Sequence, residues 1–168
     1  MLTELQQPGY LHVLINHLPI IGTFMGLLGV LIGFALRQKE ARIPGLAILL
    51  IAGVSAWPVY ETGEAAYKPI RKISDEVGGD WLDEHMERAD RTVWTFYVMA
   101  GLAAVTIAAP MRWPRSAVPL TIVTLLAAVG CSVAAAYIAQ PGGRIRHTEF
   151  RVPTTQPLPP SAPPDHHH

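Results

Sequence analysis

Four long runs without a charged residue constrain this chain more than any other feature. Residues 18–36, 43–60, 93–111 and 117–139 hold 19, 18, 19 and 23 positions with no Asp, Glu, Lys or Arg. A helix rises ~1.5 Å per residue and the hydrocarbon layer of a bilayer is ~30 Å thick, so each run crosses it or nearly does. None shows the polar stripe at helical period that a soluble helix turns to water. One such run could be a buried core helix, but four in 168 residues leave too little chain to cover them. Only 15% of the residues are charged, against roughly a quarter in a soluble domain. The expected fold is all-α: an integral-membrane four-helix bundle over residues 1–150, followed by a tail over 151–168.

The joints fit this count. "RQKEARIPG" separates the first two runs and "RWPRS" the last two, with Pro44 and Pro119 in first helical turns, where a missing N–H costs little. The middle connection, 61–92, is long and acidic. From Asp80, as N-cap, "DWLDEHMERADR" reads as an exterior amphipathic helix with Glu84–Arg88 and Glu87–Arg91 at ion-pair spacing, running into the third span. Arg37, Lys39 and Arg42 in one short loop, and Arg112 and Arg115 in the other, place both loops in the cytoplasm. Lys68, Arg71, Lys72, Arg144 and Arg146 lie on the other side, diluted by carboxylates or set in the tail. Both termini are therefore expected outside a bacterial inner membrane. No basic leader precedes the first run, so a removed signal peptide is not expected. Six prolines between positions 152 and 165 predict a disordered tail. The closing His166, His167 and His168 resemble the remnant of a purification tag and are set aside. A formal net charge of zero offers no field for nucleic acid. Cys131, alone in an apolar run, reads as packing.

This topology collects the histidines. His12 and His17 precede the first span, His85 the third, and His147 follows the fourth, so all lie on one side, with Glu61, Glu64 and Glu149. Neutral imidazole binds metals and carries protons near neutral pH, and a four-helix bundle can hold a cofactor between histidines. The expected cofactor ligands are His17, His85 and His147. Arg144 and Arg146 would meet haem propionates, or else pair with Glu61 and Glu64. For a bare metal, the expected ligands are His17, His85, His147, Glu64 and Glu149. Of the four histidines, His12 reads as the most solvated. His17, with Pro19 after it, sits near an N-cap. His85 shares a helical face with Ala89, Thr92 and Phe96. Gly63 is expected to cap the second span. Gly142 and Gly143 are expected to end the fourth and fold His147 back over the bundle. Gly22, Gly26, Gly29 and Gly33 form a stripe for close helix packing. There is no HExxH and no CxxCH, so neither a zincin nor a covalent c-type haem is supported.

"NHLPI", "YETGE", an acidic stretch with His85 and "GGRIRHTEF" together resemble a group of small, uncharacterised bacterial four-span membrane proteins. The resemblance covers most of residues 11–150. It falls on His17, Glu64, His85, His147 and Glu149, and implies architecture and the place of a site without an activity. The residues themselves suggest a membrane redox protein holding a b-type haem and passing electrons to a quinone or a periplasmic carrier. A non-catalytic accessory subunit of a respiratory or photosynthetic membrane complex is the alternative. A copper or zinc site of His and Glu is the third. No serine or cysteine nucleophile is positioned for a hydrolase, and no polar lining suggests a channel.

Overall fold

The computed structural model describes residues 6–151; the proline-rich tail and the terminal histidines fall outside them. All regular structure among the described residues is helical: α1 (Pro8–Ile15), α2 (His17–Ala35), α3 (Lys39–Ile73), α4 (Glu76–Thr92), α5 (Trp94–Arg112) and α6 (Ala117–Arg146). Single 3₁₀ turns at Pro114–Ser116 and Thr148–Phe150 flank α6. α1 leads into α2 and α4 into α5, which gives four rods, each long and apolar enough to cross a membrane.

α2 packs along α3, α3 along α5, α5 along α6, and α6 returns to α2, closing a four-helix ring. The end that carries α1 and α4 is the polar end. There α1 lies on α3, α4 lies on α6, and these two pairs make few contacts with each other.

The interior is built from small residues. Ala52, Gly53, Ala56, Ala103 and Ala128 are buried around Val30, Leu49 and Met99. The expected glycine stripe packs on α3: Gly22 faces Ala52, Gly26 faces Leu49, and Gly33 faces the backbone of Ala41 and Arg42. Buried Thr121 and Thr124 return their hydroxyls to the carbonyls of Ala117 and Leu120, one turn back, so neither of these two donors is stranded. Large apolar side chains point outward instead, among them Phe24, Ile51, Val54, Leu126 and Val133.

Two rods are continuous and two are interrupted. Pro19 has no N–H for the Ile15 carbonyl, and the first rod breaks at Asn16, just before α2. Near Val93 the hydroxyls of Thr92 and Thr95 bond to the carbonyls of Arg88 and Thr92, and the Phe96 amide makes a tight bond to Val93. α3 and α6 run without a break.

Three expectations about helix ends are corrected. The N-cap of α4 stands five residues before Asp80: it is Asp75, which accepts from the Gly78 amide at 3.0 Å. Gly63 does not end the second rod, because α3 continues through "YETGE" to Ile73. Gly142 and Gly143 lie within α6, which ends at Arg146. In each case tertiary packing overrides the modest helix cost of glycine, ~1 kcal/mol. The anticipated ion pairs Glu84–Arg88 and Glu87–Arg91 are present.

Candidate functional site: a histidine pair at the polar end

Four helices build the site, two supplying rings and two supplying room. His12 comes from α1, which starts with Pro8 at a position where its missing N–H is harmless. Its Nδ1 donates to the Val59 carbonyl of α3 at 2.9 Å. His85 comes from α4, and its Nδ1 donates to the Ile138 carbonyl of α6 at 2.9 Å. Each ring lies over a glycine of its supporting helix. A Cβ on Gly63 would stand 3.0 Å from Cε1 and Nδ1 of His12, and one on Gly142 would stand 3.2 Å from Nδ1 of His85. Two glycines that read as helix ends therefore serve as seats for imidazoles.

The rings meet edge-on across the two helix pairs. Their centroids are 6.4 Å apart and their planes nearly perpendicular, at 85°. A carbonyl only accepts, so Nδ1 carries the proton in both rings. In the neutral form Nε2 then keeps its lone pair, the state in which histidine binds metal. α4 lies beyond the apolar segment 93–111. Burial pushes the His85 pKa below its ordinary value; proximity to His12 and Arg88 adds to this, and the Ile138 carbonyl opposes it. His85 is thus neutral at pH 7.

The spacing of the two rings is compatible with both imidazoles holding one metal. With metal–nitrogen bonds of ~2.0–2.1 Å and each nitrogen about 1 Å from its ring centre, opposed imidazoles on one metal have centroids roughly 6 Å apart. The same spacing falls within the range of an edge-to-face aromatic pair, so the rings also pack with nothing between them. Among the described residues no group of three or more His, Cys, Asp or Glu could hold a metal ion.

The sequence-predicted residues are distributed differently from expectation. His85 is in the pair, but its partner is His12, which reads from sequence as solvated. His17, the first residue of α2, is exposed and lines an apolar groove of about 330 Å³ with Leu18, Ile21, Ile48 and Ile51. His147 caps α6 and is exposed, its Nδ1 2.8 Å from Glu149. Glu61 and Glu64 are exposed on α3. The anticipated set of His17, His85, His147, Glu64 and Glu149 is not gathered. Arg144 lies over the Trp81 ring at 4.6 Å, and Arg146 is exposed. Among the described residues neither pairs with Glu61 or Glu64.

Contacts absent from the sequence reading hold the surroundings. Pro141 lacks the N–H that would bond the Tyr137 carbonyl, and Arg88 takes that acceptor at 2.8 Å while also binding Gln140 and Glu84. This ties α4 to α6 one turn beyond His85. Arg151 closes the other end of the same contact. It grips both oxygens of Asp75 at 2.6 and 3.1 Å and donates to the carbonyls of Arg144 and Ile145. Across the opposite edge, Tyr60 and Tyr67 of α3 donate to Asp90 and Asp83 of α4.

Comparison with protein-family models, with curated proteins and with solved structures gives no match for this chain.

Proposed function

We propose that this is a multi-pass redox protein of the bacterial inner membrane, carrying a b-type haem between His12 and His85 at the exterior end and passing electrons to a quinone or a periplasmic carrier. One observation carries this reading: two imidazoles from different helices lie with centroids 6.4 Å apart, each with its Nδ1 donating to a helix carbonyl. A haem supplies reversible one-electron chemistry at its iron. The protein's part is to orient both rings, keep their Nε2 lone pairs free and limit access of water. The sparse contact between the α1–α3 and α4–α6 pairs is compatible with a planar group entering between them.

Membrane insertion is supported by the inverted packing, small residues inside and large apolar residues outside. Without a hydrophobic force between helices in lipid, close approach of small residues is what holds such a bundle together. The positive loops Arg37–Lys39–Arg42 and Arg112–Arg115 favour cytoplasmic placement of the opposite end.

The test is a spectrum of tag-free protein purified in mild detergent, oxidised and then dithionite-reduced, with iron analysis of the same sample. A Soret band with sharp reduced bands is expected, lost in His12→Ala and His85→Ala and kept in His17→Ala and His147→Ala. A featureless spectrum after reconstitution with haemin overturns the haem reading and favours the accessory subunit.

A further inference from the structure

A largely buried arginine stands at the other end of the bundle, and among the described residues no carboxylate neutralises it. Arg42, in the first turns of α3, is 8% exposed. Close approach of two helices buries it: a Cβ on Gly33 of α2 would lie 2.8 Å from the Arg42 amide nitrogen. The guanidinium carbon sits 5.0 Å from the centre of the Phe34 ring. Nε is buried and has no hydrogen-bond partner. Among the described residues no carboxylate forms an ion pair with Arg42; Glu40, two positions earlier, is exposed.

Arginine stays protonated in proteins, so this charge calls for an anion. The surroundings favour one further. Arg37 and Lys39 are exposed in the same turn, and the α3 N-cap, Gln38, makes no side-chain bond to the first amides, which leaves a positive helix end open.

We propose that Arg42 and the first turn of α3 bind a phosphate group, and that the phosphate belongs to the head of an anionic phospholipid. This rests on the membrane-crossing part of the reading above and is independent of the haem. A guanidinium's planar fork matches phosphate oxygens, and the Phe34 ring beneath it holds its plane. Exposed Leu36 and Ile43 beside the site offer surface for acyl chains. Basic pockets between membrane helices at the cytoplasmic face are suited to such heads.

The test is native mass spectrometry of the detergent-purified full chain, titrated separately with phosphatidylglycerol and phosphatidylcholine. Preferential retention of phosphatidylglycerol is expected, weakened about tenfold or more in Arg42→Gln and less in Arg42→Lys. Equal retention by wild type and Arg42→Gln overturns the proposal. A rise in melting midpoint with inorganic phosphate, without lipid preference, overturns the lipid source and assigns the site to a free anion. Should Arg42→Gln fail to fold, photoactivatable phosphatidylglycerol on wild-type protein decides: crosslinks concentrated in 34–43 support the site, and an even spread overturns it. Carbonate extraction from membranes separately reports whether the chain spans the bilayer at all.

Discussion

The seat of His12 can be tested with one methyl group. Gly63 lies inside α3, where Gly→Ala ordinarily gains ~0.8–1.0 kcal/mol of helix propensity. Its new Cβ would meet the His12 ring at 3.0 Å, and ordinary contact begins near 3.4 Å, so the ring must retreat by a few tenths of an ångström. Retreat from α3 stretches the 2.9 Å bond to Val59 toward the ~3.2 Å limit of a sound N–H···O bond. Weakening it costs up to ~1 kcal/mol, about what propensity gains. Gly63→Ala is therefore close to neutral in stability. Gly101→Ala is the control: nothing lies within 4 Å of its Cβ, and only the gain remains. In a chain of this length, ~1 kcal/mol corresponds to roughly 2–4 °C in Tm. Thermal unfolding in detergent should place Gly101→Ala above Gly63→Ala by about that margin. On the haem proposal, only Gly63→Ala should also shift the spectrum and weaken haem retention. Equal gains in Tm with an unaltered spectrum would show that Gly63 does not seat the ring.

The Arg151–Asp75 latch should respond to acid. Arg151 first, and the Gly78 amide with it, hold the Asp75 carboxyl below the usual range. A depressed folded pKa means that the contribution is complete above the ordinary value of ~4 and is lost as pH falls through the lower folded value. Hydrogen exchange at residues 75–79 and 144–151 should rise over that window, and should already be raised at neutral pH in Arg151→Ala and Asp75→Asn; unchanged protection would discard the latch. Pro141→Ala restores an N–H for the Tyr137 carbonyl, the acceptor now used by Arg88. Arg88→Ala should then cost less in the Pro141→Ala background than in wild type, and strict additivity in that double-mutant cycle would refute the compensation.

The bundle was legible in the sequence because apolar run length and small-residue spacing are local. Gly22, Gly26 and Gly33 announce a close helix contact, and the contact exists. The histidine pair was not legible, because its two halves are meaningful only together. His12 precedes the apolar run and looks solvated until Gly63, fifty-one residues later, supplies the space beneath it. Gly63 and Gly142 read as helix ends, since propensity alone disfavours glycine inside a helix, and nothing local says that a ring will cover the gap. Asp80 reads as an N-cap by residue type, whereas the helix starts earlier and takes in Gly78 and Gly79. In the fold, the Arg71 side chain lies across Gly79 and Arg151 beside Gly78. Pro8 at the head of "PGYLHVLI" was the one available sign that His12 stands on a helix.

The interruptions at Asn16 and Val93 bear on how such a site comes into being. α3 and α6 run unbroken from one end of the molecule to the other, so the carbonyls and glycines that receive the rings are fixed once the bundle is packed. The rings themselves hang on α1 and α4, each joined to its crossing segment at a weakened turn. Small rotations at those two joints would part His12 from His85 without disturbing the four-helix ring. On the haem proposal, assembly is then divisible in time: the four-helix ring can pack first, and the planar group can enter afterwards between α1 and α4.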